Sequence, residues 1–421
     1  MKINALLIVV FILVLAGCGT ARPTQPPAAL DCQLADYVVR DISSDWMRMR
    51  LQRMITSAPD SEISSSFNVL SLSAGGQFGA YGAGFLVGWG SVGGTAHPSA
   101  RQDIQVVTGV STGSILATHA FLGGKNDEEI EREYRNLSGA QIYTARSPLA
   151  YLWANSIYDT SPKDELIRAK LSSDLIDQVA SFSGGERFLY IGMVNHDTGE
   201  FVRIDMVKLA KNTIPKARRD DCYRAVIGAS SAIPIAFSPK FIDGQMWVDG
   251  GNRRHVFLTI PPKDAMQPTI NRRLYSIFHG DLSVGSTTVV NGVVQIAARS
   301  ANIFIDQGMK DSIRLQDVLA ASCPEKLDCG PTKRLYETSY AGAARAAEQC
   351  KLTLTQCEST NSPTDDDLFC RPFMNCLADV GRQDGKDYAS RNKPWPTLDQ
   401  FCLGSDPNCK SKNVMMRALS Q

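Results

Sequence analysis

Histidine is scarce in this chain: five stand among 421 residues, and none follows His279. A cysteine-rich tail without imidazole, and without C-x2-4-C spacing, does not read as a zinc site. Charge of one sign is missing as well, with 44 Lys and Arg against 43 Asp and Glu. No long basic stripe appears, which argues against nucleic acid as the main partner. The apolar run Ile3 to Leu15 is too short to remain in a bilayer as a spanning helix. The phosphate-loop ending G-K-[ST] is absent, and Gly75-Gly76-Gln77-Phe78-Gly79 does not fit the dinucleotide fingerprint. No calcium-binding pattern is present, and nothing in the chain demands a metal or a cofactor.

What the chain does have is centred on Ile104 to Ala117, a β-branched run that breaks at Gly109-Val110-Ser111-Thr112-Gly113 and continues with a helical pattern. Strand, sharp turn and helix around G-x-S-x-G describe a nucleophile elbow, which pushes Ser111 out at a strand end. The helix that follows favours developing negative charge there. A second strand-loop-helix unit precedes it: Phe67 to Leu72, the glycine loop 75–79, and a helical run from Ala80 to Trp89. Such a loop presents successive backbone N–H groups to an anion. With an exposed Ser111, that anion is the oxyanion of an acyl transfer, and Gly75 and Gly76 are the candidate donors.

The N-terminus reads as an export signal: Met1-Lys2, the apolar run, then Leu15-Ala16-Gly17-Cys18. The tetrad resembles the bacterial lipobox, which implies removal of residues 1–17 and lipidation of Cys18. Gly19 follows where Asp would signal inner-membrane retention, so the expectation is a lipid-anchored protein of the cell envelope at the outer membrane. Thr20 to Leu30 is a Pro- and Ala-rich tether. Setting Cys18 aside leaves ten of eleven cysteines, eight of them after residue 320. An even number in an oxidising compartment suggests disulfides of undetermined connectivity.

Farther along, Asp31 to Ile55 is expected to be an amphipathic helix, and Asp127 to Asn136 an acidic helix with a solvated face. Tyr143 to Tyr158 reads as an irregular aromatic loop. Ser161-Pro162 opens a helix. Arg187 to Val194 and Glu200 to Met206 form a hairpin whose turn holds His196. Cys222 to Ala232 reads as a helix, Phe241 to Val248 as a hairpin-like segment delivering Asp249-Gly250-Gly251, and Arg273 to His279 as a strand. A long helix follows over Thr288 to Leu319, then a disulfide-stapled appendage with a helix around Lys333 to Lys351.

Taken in order, the glycine loop, the elbow and Asp249-Gly250-Gly251 resemble patatin-like lipid acyl hydrolases, over about residues 67 to 280. Gly79-Ala80-Tyr81-Gly82-Ala83-Gly84 and Ala229-Ser230-Ser231-Ala232-Ile233-Pro234 reinforce the resemblance. It implies an α/β fold, a three-layer sandwich with a mostly parallel central sheet flanked by helices, and a Ser–Asp dyad of Ser111 and Asp249. It further implies oxyanion amides at Gly75 and Gly76, with elbow and loop glycines at Gly79, Gly109, Gly113, Gly250 and Gly251. Two positions depart from the family: Ala74 stands where a third glycine is usual, and Phe78 where a basic residue often stands.

The expected division is therefore signal 1–17, tether 18–30, N-terminal helical extension 31–66, catalytic domain 67–322, and a cysteine-rich stapled region 323–421. The expected activity is hydrolysis of phospholipid or lysophospholipid acyl esters through an acyl-enzyme. Two alternatives stand beside it. One is a Ser-His-Asp carboxylesterase using His255 or His279; the other is a non-catalytic envelope lipoprotein that keeps the fold as a binding scaffold.

Overall fold

The apolar runs at 67–72, 106–110 and 188–195 are buried throughout, as strands covered on both faces should be. The computed structural model describes residues 22–23, 29–39, 66–92, 101, 103–258 (less 148–149, 151–152, 183–186 and 213–214), 271–280, 282, 284, 288–323, 334–358, 368–390, 395–396 and 398. The expected signal and Cys18, the expected site of lipidation, lie outside them.

The strands are β1 (Ala29–Leu30), β2 (Ser66–Leu72), β3 (Val106–Val110), β4 (Thr144–Ala145), β5 (Tyr158–Asp159), β6 (Phe188–Asn195), β7 (Phe201–Asp205), β8 (Lys240–Ile242), β9 (Gln245–Asp249), β10 (Asn271–Phe278) and β11 (Glu337–Gly342). The helices are α1 (Gly79–Ser91), α2 (Thr112–Leu122), α3 (Lys125–Asn136), α4 (Ser161–Lys170), α5 (Ser173–Ser181), α6 (Met206–Ala210), α7 (Lys216–Ser230), α8 (Val293–Ala321), α9 (Ala344–Glu358) and α10 (Arg371–Ala389). Nine strands form one sheet in the order β1-β8-β9-β6-β3-β2-β10-β11, with β7 also paired to β6. From β6 to β11 the neighbours run parallel, whereas β7 and β9 run antiparallel to β6.

Alternation along these strands divides the core into two layers. Leu70, Leu72, Val107, Leu189 and Ile191 face one apolar cluster with Tyr81, Phe85, Leu116 and Val226 of the helices. Val69, Val106, Val110, Phe188 and Tyr190 face the other, with Ile313 of α8. The result is the helix-sheet-helix sandwich expected, with a mainly parallel sheet.

Three expectations need correction. Residues 31–39 are not α-helix: Leu34–Asp36 is a short 3-10 turn, and its amides at Cys32, Gln33 and Leu34 donate to the Asp243 carboxylate at 2.6, 3.0 and 2.6 Å. Residues 333–351 are not one helix, because β11 occupies 337–342 as an edge strand of the main sheet, with α9 behind it. The C-terminal region is thus no separate appendage; β11 and α10 belong to the body. Nor is α3 merely a solvated face, since Asp127 and Glu131 are buried and paired with Arg101, Arg135 and Arg382.

α10 lies across α1 at backbone contact. A Cβ on Gly84 would sit 2.1 Å from the Ala378 carbonyl oxygen, and one on Gly385 would sit 2.3 Å from that of Phe85. Gly88 and Gly381 continue the same notch, so each helix brings two glycines one turn apart to the crossing. Disulfides Cys350–Cys376 and Cys357–Cys370 tie α9 to α10 and to the residue before it. Cys32–Cys222 ties the N-terminal strand to α7. Among the described residues, no helix is long and apolar enough to cross a membrane, and no side-chain cluster suits a metal ion.

Candidate active site

β6 assembles the site. Its residues 188–192 pair with β3 and its residues 193–195 with β9, while β7 takes its other edge. β3 and β9 therefore approach each other head-on along one edge, and Val110 stands opposite Gly192 where Asp249 stands opposite Met193. Ser111 follows Val110 directly. Residues 138 apart in the chain meet because two strands end at the same point.

Ser111 is the turn between β3 and α2, with φ 54° and ψ −123°. A positive φ at a non-glycine residue stores about 1–3 kcal/mol and persists only where its surroundings enforce it. Its N–H donates to Ser230 Oγ at 3.1 Å, and its carbonyl accepts from Ser114 Oγ at 2.6 Å. Gly113 permits the close approach behind the elbow, since a Cβ there would lie 2.3 Å from the Leu72 carbonyl oxygen.

Asp249 closes β9 and caps the turn Gly250–Asn252, its Oδ1 accepting the Gly251 N–H at 2.7 Å. Its own N–H donates to the Ala232 carbonyl at 2.9 Å. Oδ2 is buried without a hydrogen bond of full geometry, and the Ser111 hydroxyl is the side-chain group that acts on the carboxylate. Burial raises the carboxyl pKa to about 6, against the opposing pull of the Ser111 hydroxyl, the Gly251 amide and the Lys163 charge. Free carboxylates titrate near about 4, so burial makes this one a stronger base.

The glycine loop lies on the neighbouring strand end, after β2. Gly75 has φ +155°, and a Cβ there would lie 1.4 Å from the His279 carbonyl oxygen, so only glycine fits. Gly76 faces open space. Neither N–H donates to a backbone carbonyl among the described residues. The loop is held from outside the predicted catalytic segment: Gln77 Oε1 accepts the Cys370 N–H at 3.0 Å, and Phe78 meets Phe373 edge-on at 5.6 Å. The departure at Phe78 thus has a packing reason in α10.

The two candidate histidines sit differently: His279 is turned to the Ser73 backbone, whereas the His255 ring lies against the Asp249 turn, where a Cβ on Gly251 would be 3.3 Å from its Nδ1. His279 Nδ1 is bonded to the Ser73 carbonyl at 2.6 Å, and its buried Nε2 is unpartnered. The His255 backbone carbonyl accepts the Ala74 N–H at 2.7 Å, and its N–H donates to Ser312 Oγ at 3.1 Å. Burial pushes both imidazoles down to about 4, and neither ring bonds to Ser111 or Asp249. His196 is an exposed turn residue.

Two residues at the site were not singled out from sequence. Ser230 lay inside a reinforcing motif without a role; its Oγ links Ser111 to the Gly192 carbonyl, the latter at 2.7 Å. Lys163 read only as part of a helix start, yet it is buried, and its Nζ reaches the Ser231 carbonyl at 2.8 Å. No periodicity marks either one, since the contacts join α4, α7 and β3.

Residues 70–266 match the model of the patatin-like phospholipase family. Among solved structures, the chain is similar to VipD from Legionella pneumophila, at 12% identity and a TM-score of 0.32, covering 75% of this chain and 67% of that one. It is also similar to human GIVD cytosolic phospholipase A2 in complex with methyl gamma-linolenyl fluorophosphonate, at 11% identity and a TM-score of 0.30, covering 83% of this chain and 61% of that one. No curated protein sequence matches. The matched segment contains the glycine loop, the elbow and the aspartate turn, and residues 70–266 are accordingly a patatin-like phospholipase domain.

Proposed function

We propose that the protein is a serine lipid acyl hydrolase whose nucleophile is Ser111 and whose base is Asp249, acting on fatty-acyl esters of phospholipids or lysophospholipids. The observation that carries the reading is the convergence of β3 and β9 on β6, which sets a strained serine beside a buried carboxylate of raised pKa.

Ser111 Oγ attacks the acyl carbonyl as its proton passes to Asp249. The amides of Gly75 and Gly76 receive the oxyanion, each such donor being worth roughly 3 kcal/mol. The carbon–oxygen bond to the lipid alcohol breaks, and that oxygen leaves with the proton from Asp249. Water then attacks the acyl-Ser111 ester and gives a proton to Asp249, which returns it to Ser111 Oγ as the fatty acid departs.

An apolar rim supports a lipid substrate. Ile235, 76% exposed with φ +70°, stands three residues beyond the Ala232 carbonyl that holds Asp249. Ile233, Ile157 and Trp153 are exposed nearby in sequence or through the Ile157 N–H bond to the Ile235 carbonyl at 2.8 Å. A β-branched residue at positive φ is rare, and here it turns an alkyl side chain to solvent.

We further propose attachment to the outer membrane through lipidated Cys18. The tetrad Leu15 to Cys18, the tether that follows and the disulfides support this. The reaction is tested with the purified protein, disulfides intact, by measuring fatty acid released from phospholipid and lysophospholipid vesicles. Release should vanish in Ser111→Ala and in Asp249→Asn while folding is retained, and a fluorophosphonate should label Ser111. Absence of both release and labelling would favour the binding-scaffold reading.

A further inference from the structure

Lys163 is 3% exposed, in the first turn of α4, and forms no ion pair with any described carboxylate. Its ammonium instead donates to three neutral oxygens: the carbonyls of Gly228 and Ser231 at 3.3 and 2.8 Å, and Ser231 Oγ at 3.2 Å. The Phe237 ring lies beneath it, 5.3 Å from the centroid. A buried cation without a counter-ion is costly. Two features offset that cost: the carbonyls belong to the C-terminal, partially negative end of α7, and the Asp164 and Asp249 carboxylates are both within electrostatic reach.

Ser231 is the middle of three consecutive residues that serve the dyad. Before it, Ser230 Oγ accepts the Ser111 N–H; after it, the Ala232 carbonyl accepts the Asp249 N–H. A displacement of Ser231 would move both partners together. We propose that Lys163 is a positioning residue of the dyad, its ammonium fixing Ser231 between the contacts that place Ser111 and Asp249 and presenting a buried positive charge to that carboxylate. The placement rests on the Ser–Asp reading for its consequence in catalysis, and on the contacts alone for its consequence in Asp249.

Lys163 is the charged group acting on Asp249, and the Ser111 hydroxyl and Gly251 amide are its hydrogen-bonding neighbours. Around Lys163 itself, burial and Lys240 of β8 lower the pKa, to about 7, while Asp164 and Asp249 raise it. The positive charge favours the ionised carboxylate, so its removal lets Asp249 hold its proton to higher pH.

The test compares wild type, Lys163→Met and Lys163→Arg by kcat and KM over pH, with the Asp249 carboxyl followed by 13C NMR against Asp249→Asn. In Lys163→Met, kcat should fall roughly tenfold to a hundredfold with KM little changed. The acid limb of kcat/KM and the Asp249 titration should both move up in pH. Lys163→Arg should return the titration toward the wild-type position. An unmoved titration with wild-type kcat in Lys163→Met would overturn the proposal and leave Lys163 a packing residue. If the Met variant does not fold, Lys163→Gln, which keeps a donor for Ser231 but no charge, decides on the same readouts. Should Ser111→Ala retain hydrolysis, the Ser–Asp reading fails by itself, and the carboxyl titration still decides for or against the placement of Lys163.

Discussion

Val110 and Asp249 stand opposite consecutive residues of a single strand, Gly192 and Met193, on the same edge. The serine that follows Val110 therefore needs no long arm to approach the Asp249 turn. The fine adjustment falls to Ser230, which binds the Ser111 N–H on one side and the Gly192 carbonyl on the other.

Ser230→Ala leaves two buried polar groups without their partner, at a cost of about 1–3 kcal/mol. Denaturant unfolding should show that loss, and kcat should drop roughly tenfold or more because the elbow is no longer held. Unchanged kcat would mean the elbow keeps its shape without Ser230.

The strain at Ser111 makes an opposite prediction for stability. Ser111→Gly removes the nucleophile and also relaxes the positive φ, so it should abolish hydrolysis and raise stability by about 1 kcal/mol or more. Ser111→Ala should abolish hydrolysis without that gain. Equal midpoints in the two variants would argue that the backbone is not strained.

Asp249 predicts activity and stability running against each other in pH. Its carboxyl must be ionised to accept the serine proton, so kcat/KM should fall as pH drops through about 6. Because burial raises the folded-state pKa above the unfolded value, the folded chain binds the extra proton between about 4 and 6. Stability from this group is full below the lower value and is lost as pH rises through the upper one, by as much as about 3 kcal/mol. Asp249→Asn should then be the more stable protein at pH 7, with the difference shrinking toward pH 4. A constant difference across that range would exclude the linkage.

The grip of the C-terminal region on the glycine loop can be loosened in two ways. Phe373→Ala removes a buried ring that meets Phe78, at about 3–5 kcal/mol. Replacing Cys357 and Cys370 with serine opens a link of sequence separation 13, at about 3 kcal/mol. In both, kcat should fall more than KM rises, since the oxyanion donors lose their fixed aim. Hydrolysis that scales only with the folded fraction would show that the loop stands without this support.

Much of the frame was legible from local pattern. The elbow, the glycine loop and the Asp249 turn each carry their own strand-turn-helix or hairpin signal, and the near-continuous apolar runs of β2, β3 and β6 mark a sheet covered on both faces. What was not legible depends on partners far along the chain. β11 and the segment before α9 read as helix, because Glu337 to Gly342 alternates weakly and owes its strand state to pairing with β10. α10 looked like part of an appendage because its glycines have meaning only against those of α1. Lys163 looked like an ordinary helix-start residue because its three acceptors lie 65 and 68 positions away.

The hold of Cys370 and Phe373 on the glycine loop also sets a schedule. As the chain is made, the serine elbow emerges early, the Asp249 turn later, the flanking strand β10 by 278, and the clasp on the loop only at 373. Pairings this distant form slowly and late. An unfinished chain thus carries its serine elbow before the contacts that steady its glycine loop exist.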